Sequence, residues 1–444
     1  MRTRLICAVL LLLGSLASVA SAQQVLDLAR IQDQTLGNGM KVIIKSEPYW
    51  RAVALGVVIR SGAKDDPAGK AGLAHLVEHL LFEPSLPGKS LSLAVEDLGG
   101  AVNAYTSADF TLINLAVASQ FAPDLMSQLA GTVFGARFVP EQVEAEKQMV
   151  LREMADRDSA LQTRLSTLGF DLAFTVHPYR HPIPGTRESV TDLTLADAQQ
   201  FYQDHYVPGN MALIAVGDVD PTAFFALARQ HFGAVPARPR LPENLPAEPP
   251  QTEPRSRIRT MDIANAVIQF AWQAPGISQP AEVCAMDLIY TAMTRGETSL
   301  LSKALNAQRL ALHSEAGFLT QKYPGLFTIT AITPPDKQLE ARQAILDLVR
   351  QFHEIPTSAE ELAYLKKLLY ADYAFDNQSY SDQVGTLAFY EALSTYRFAT
   401  NYLAIVNAVT SEQLQEAARK YLREDNYNLT VLSPESANQG GLHA

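Results

Sequence analysis

The chain is nearly without cysteine. Of its 444 residues only Cys7 and Cys284 carry a thiol. Cys7 falls in a leader that reads as removable, so a disulfide framework is excluded for the mature protein and its stability must come from buried apolar surface. Cys284, inside the apolar run AEVCAMDLIY, reads as a core residue. An excess of basic charge is also lacking. The formal net charge is -11 and the pI is near 5.4, which leaves no positive field for phosphates and argues against nucleic acid as a partner. Beyond the amino terminus no apolar run is long enough for a membrane-spanning helix. What is present, 47% hydrophobic and 19% charged residues, is the balance of a folded globular protein with room for two or more cores.

The first residues, MRTRLICAVLLLLGSLASVASAQQ, set two arginines before an apolar stretch that ends in Ala20-Ser21-Ala22. This is the pattern of a secretory signal peptide over residues 1–22, with cleavage after Ala22. It predicts an exported protein, with the periplasm of a Gram-negative bacterium as its compartment.

Organisation follows from composition. AVPARPRLPENLPAEPPQTEPRSR, residues 234–257, is rich in proline and charge and reads as an extended linker. The expected units are an N-terminal domain over 23–236, a linker over 237–257 and a C-terminal domain over 258–444. A shift of 216 aligns LTLADAQQFYQDHYVPGNMALIAVGD with VTSEQLQEAARKYLREDNYNLTVLSP. It also sets ALGVVIRSGAKDDPAGKAGLAHLVEHLL over FAWQAPGISQPAEVCAMDLIYTAMTRGE, so the halves read as a duplication.

GLAHLVEHLLFE, residues 72–83, breaks the rule for a buried helix. His75 and His79 fall one turn apart on one side, Glu78 lies on the flank of that stripe, and leucines, Val77 and Phe82 cover the rest. Ionisable groups on such a helix require compensating partners. A metal ion would serve, because imidazoles at i and i+4 can reach one ion from one helical face. HLVEH is the H-x-x-E-H pattern. Under the 216 shift these positions become Thr291, Thr294 and Arg295, so only the first half carries the triad. A catalytic zinc takes three protein ligands and keeps one position for water. In PEQVEAEKQMVLREMADRD, residues 140–158, Glu146 and Glu153 stand nearly on one face, while Glu141, Glu144 and Asp156 compete with them. In HPYRHPIPG, Pro178 and Pro182 make a helix improbable, so His177 and His181 read as structural.

Taken together, HLVEH, LGGAVNAYTSADFT, EKQMVLREM, HPYRHPIPG and VPGNMALIAVGD resemble the pitrilysin and insulinase family of inverted-motif zinc metallopeptidases, which includes the mitochondrial processing peptidases. The resemblance runs over nearly the whole mature chain. It implies an α+β fold of two similar domains, each a mainly antiparallel sheet packed with helices, which together form one half of a clamshell. It implies one Zn2+ per chain held by His75, His79 and Glu153, with Glu146 behind the site and Glu78 as the general base of peptide hydrolysis. It also implies that Asn103, Ala104 and Tyr105 lie on an edge strand to which a peptide substrate adds as a further strand, a mode in which main-chain pairing tolerates many sequences.

One departure concerns the second domain. Where family members that grip substrate have an arginine and, seven residues on, a tyrosine, TSLLSKALNAQRLALHSEAGF places Asn306 and His313, with Arg309 out of register. An intact triad without that pair, on a chain supplying two of four chamber domains, implies the zinc-bearing subunit of a heterodimer whose partner carries the arginine and tyrosine; a homodimer is the variant of this reading. The alternatives from other classes are a non-catalytic assembly subunit and a zinc-binding protein without hydrolytic activity.

Overall fold

The computed structural model describes residues 25–82, 90–158, 160–296 and 299–435. The signal peptide expected over 1–22, with Cys7, lies outside the described residues. Among the described residues no helix is long and apolar enough to cross a membrane.

The fold is α+β, built on two sheets. The first contains β1 (Ile31–Thr35), β2 (Lys41–Ser46), β3 (Ala52–Ile59), β4 (Ala101–Thr106), β5 (Thr111–Ala118) and β6 (Met211–Gly217) in the order β1-β2-β6-β3-β5-β4. The second contains β7 (Arg255–Met261), β8 (Ala266–Gln273), β9 (His313–Phe318), β10 (Leu326–Thr333) and β11 (Asn428–Pro434) in the order β7-β11-β8-β10-β9. The second sheet thus repeats the first without the outer strand β1. Even the single parallel contact recurs, β2 with β6 and β7 with β11, while the remaining pairs are antiparallel. The uniform shift of 216 does not survive. Ala54 pairs with Val216, and the shift would carry that pair to Phe270 and Leu432, but Phe270 pairs with Leu429. Chain added or lost between strands has moved them by three residues while keeping the ladder.

Central strands are buried on both faces, which is why they read as continuous apolar runs rather than alternating ones. In β3, AVALGVVI, every residue after Ala52 is buried. Leu55 and Val57 pack toward the helix Leu73–Phe82, whereas Ala54 and Val58 join the core of the second half. The helix that covers this other face is Tyr380–Leu393, from the far end of the chain. It approaches so closely that a Cβ on Gly56 would stand 2.4 Å from Val384 Cγ1, so only glycine permits the contact. Reciprocally, the first-half helix Leu161–Ala173 lies on the second sheet, where Leu165 packs with Val267 and Leu432. Each half therefore lends a helix to the other.

Charge reinforces the exchange. Glu391, 3% exposed, accepts from Arg60 at 2.6 Å, from Lys41 Nζ at 3.0 Å and from the Tyr396 N–H at 3.0 Å. The segment after residue 234 is extended, yet it is pinned. Glu248 accepts the backbone N–H groups of Thr175, Val176 and His177 at 2.7–2.9 Å. Glu243 takes Lys322 Nζ and the Tyr323 hydroxyl at 2.6 Å each. It works as a strap across both halves.

Candidate metal centre

The helix Leu73–Phe82 starts where Gly72, at φ 93°, turns the chain against Pro184, a position in which a Cβ would meet the Pro184 carbonyl oxygen at 2.5 Å. Asp66 caps the start from six residues upstream: its carboxylate accepts the N–H groups of Gly72 at 2.7 Å and Ala74 at 2.8 Å. The helix then buries its leucines against the first sheet, which commits His75, Glu78 and His79 to the side facing the helix Pro140–Asp158.

There the predicted residues meet. Glu153 Oε2 lies 3.7 Å from His75 Nε2 and 3.6 Å from His79 Nε2, and one ligand atom from each of His75, His79 and Glu153 can be chosen so that all lie within 4.8 Å of one another. Glu146, two turns earlier on its helix, places Oε2 3.0 Å from His79 Nδ1. With Nδ1–H donated to Glu146, the His79 Nε2 lone pair faces the cluster. Glu153 Oε1 is held by Arg157 at 2.7 Å. Glu141, Glu144 and Asp156 take no place in the group.

The electrostatics favour a cation. Burial, with His79 beside it, pushes the His75 imidazole down to about 3, so it is neutral at physiological pH and in the form that ligates metals. Its Nδ1 is buried without a hydrogen-bond partner. Burial raises Glu78. For His79, burial acts downward, but the bond to Glu146 and the surrounding carboxylates leave the net shift upward. Three carboxylates, Glu78, Glu146 and Glu153, thus converge on two histidines with Arg157 as counter-charge. Two imidazole nitrogens and a carboxylate oxygen at such separations are a donor set that suits zinc.

Beside this group runs β4, the outermost strand of its sheet. Ser107 N–H donates to Phe110 O, and by the alternation of an antiparallel ladder Asn103 and Tyr105 also turn their backbone groups toward β5. The outward backbone groups therefore belong to Val102, Ala104 and Thr106. Of the three residues expected at a substrate edge, Ala104 offers its main chain, whereas Asn103 and Tyr105 offer exposed side chains, Tyr105 with its ring edge-on to Phe110. Val102 and Thr106 were missed, because the register of an edge strand is set by its hairpin and carries no local signal. Thr106 Oγ1 donates to Glu78 Oε2 at 2.7 Å.

In the second half, the positions where an arginine and a tyrosine were expected hold Asn306 and His313. Asn306 accepts from the Ser314 hydroxyl at 2.6 Å, His313 is exposed at the start of β9, and Arg309, also exposed, has φ 58°. His177 is buried, accepts the Tyr179 N–H at its Nδ1 and packs between Tyr179 and Tyr323.

Residues 41–187 match the insulinase family, peptidase family M16, and residues 192–369 match the domain described as the peptidase M16 inactive domain. Over 411 residues the chain is 26% identical to an uncharacterized zinc protease of Mycobacterium bovis, covering 91% of this chain and 93% of that one. The crystal structure of a protease from Helicobacter pylori is similar over 91% of this chain and 99% of its own, with a TM-score of 0.83 and 24% identity. The periplasmic protease PqqL from Escherichia coli is similar over 93% of this chain but 49% of its own, with a TM-score of 0.74 and 21% identity.

Proposed function

We propose, for a chain that belongs to the insulinase family of M16 peptidases, that it is a zinc-dependent endopeptidase acting on peptides or unfolded polypeptides, and that it is the zinc-bearing subunit of an exported two-subunit enzyme. The observation that carries the reading is the meeting of His75, His79 and Glu153 beside Glu78 and the open edge of β4.

In this reading His75, His79 and Glu153 would hold the metal, and Glu146 fixes the His79 ring through Nδ1. Zinc bound there supplies Lewis acidity, which acidifies water and polarises a carbonyl. Glu78 takes a proton from the attacking water at its carboxylate and returns it to the amine that leaves. The outward main chain of β4 pairs with the peptide, lays it past the site and leaves side-chain identity unread. Glu78 is itself only 8% exposed, which limits the access of bulk water to it.

Two observations support the reading of a partner. A structurally similar periplasmic protease is about twice as long as the region this chain matches, and neither Asn306 nor His313 supplies the cation and phenol that would stabilise charge developing on the carbonyl. The signal-peptide pattern and the compartment in PqqL's description favour export to the periplasm. The test is cleavage of a quenched, unstructured peptide by the purified chain, alone and with an exported two-domain protein that lacks H-x-x-E-H but keeps the arginine and tyrosine. Weak activity alone, recovery on mixing and abolition by a chelator with restoration by zinc are expected. Full-rate cleavage by a monomer would refute the partner, and no cleavage under any combination would refute the peptidase.

A further inference from the structure

We infer that Thr106 is a positioning residue that aims Glu78 and also ends the strand a substrate can add to β4, so that a susceptible carbonyl is delivered beside the base. This rests on the peptidase reading.

The argument begins with proton accounting. Thr106 Oγ1 lies 2.7 Å from Glu78 Oε2 and 3.3 Å from Thr111 Oγ1. Each hydroxyl has one proton. That of Thr111 goes to the Ser61 carbonyl at 3.1 Å, and a carboxylate can only accept, so that of Thr106 goes to Glu78. Glu78 and Thr106 are 8% and 9% exposed, and water does not compete freely for the bond. One lone pair of Oε2 is thereby taken and the rotation of the group is restrained, which leaves Oε1 as the freer oxygen to take a proton.

The same residue sets a boundary. Val102 and Ala104 turn their N–H and C=O groups away from β5, toward the side on which no further strand lies. Thr106 is next in that alternation, but its hydroxyl is bonded to the Glu78 carboxylate. A peptide extending the sheet can pair with Val102 and Ala104 and must stop pairing at Thr106. Its backbone then leaves the ladder where Glu78 begins, and the register is decided by main-chain geometry. An enzyme that reads little side-chain identity still cuts at a defined distance along the bound strand.

The test compares Thr106→Val, which removes the hydroxyl and keeps the shape, with Thr106→Ser, which keeps the hydroxyl; Thr106→Ala replaces the valine variant should that one not fold. With the zinc-loaded protein and its partner, the variants lacking the hydroxyl should lose about tenfold or more in kcat, as expected for one hydrogen bond to a charged group, with KM within about twofold. Mass-spectrometric mapping of products from one long unstructured peptide should show cuts spread to neighbouring bonds. Serine should restore both. On the metal-free chain, carbodiimide labelling of carboxyl groups should modify Glu78 several-fold faster without the hydroxyl and at the wild-type rate with serine. Unchanged labelling would overturn the aiming role, and an unchanged product map at reduced kcat would overturn the boundary. Should the wild type cleave nothing with its partner and zinc, the peptidase reading falls and takes the boundary with it, while the labelling still decides whether Thr106 holds Glu78.

Discussion

The two sheets repeat one order of strands, yet a polar stripe faces other elements in the first half and turns its hydroxyls back on its own helix in the second. The histidine helix Leu73–Phe82 carries ionisable groups whose partners lie on a different helix and a different strand. Its counterpart, Pro280–Thr294, carries Thr291 and Thr294, whose hydroxyls donate to the carbonyls one turn back, Asp287 and Tyr290, at 2.8 Å each. Arg295 is paired with Asp372. A polar group satisfied within its own helix needs nothing opposite it. The two helices thus differ in where their polar groups find partners: Thr291 and Thr294 find them at home, while Asp287 and Arg295 are paired with Tyr402 and Asp372.

The contrast breaks most sharply at the triad. Glu78→Gln should keep zinc and lower peptide turnover by at least about a hundredfold, measured as kcat beside metal content. His79→Ala and Glu153→Ala should lose the metal itself, whereas Glu146→Ala should weaken zinc binding by roughly tenfold to a hundredfold; isothermal competition with a chelator separates these. If Glu146→Ala loses more metal than Glu153→Ala, the third ligand has been misassigned.

A second group of changes acts on what the halves share. Glu391→Ala leaves Arg60 and Lys41 facing each other without a counter-charge at a largely buried joint, and should cost roughly 3 kcal/mol, read from the urea midpoints of wild type and variant. One pH dependence comes from the second half. Burial lifts the Asp287 carboxyl from 3.8 to about 7, with the Tyr402 hydroxyl at 2.8 Å as its hydrogen-bond donor. The folded state then holds the proton more tightly than the unfolded one, so this group's contribution is intact below about 4 and is lost as pH rises toward 7. Thermal midpoints of wild type should fall across that window relative to those of Asp287→Asn. The smallest effect is expected from Thr291→Val with Thr294→Val, which should change stability by no more than about 1 kcal/mol and leave zinc content and cleavage as they were. A change in either would mean that the second half contributes to the site.

Much of the site was legible because it is local. H-x-x-E-H sits within five residues of one helix, and the periodicity of EKQMVLREM brings Glu146 and Glu153 to one side of another. The hidden parts are those joined across the chain. The Thr106 bond to Glu78 links a helix to a hairpin end 28 residues away, and the strap residues Glu243 and Glu248 read as ordinary charges in a proline-rich linker. The three-residue offset between equivalent strands defeated a uniform alignment because loops gain or lose residues without disturbing the ladder.

By itself the sequence determined the elements and the chemistry available to them: apolar runs that form doubly buried strands, helices with polar stripes, a neutral-imidazole and carboxylate donor set, and a second half stripped of it. Only the tertiary structure decided which carboxylate faces which imidazole, which edge of the sheet stays open beside Glu78, and that each half is completed by a helix from the other. The physical reason is range. Periodicity and capping are set by residues within a turn or two, whereas burial that compensates a charge, or a glycine such as Gly56 that admits Val384, depends on contacts between segments more than three hundred residues apart.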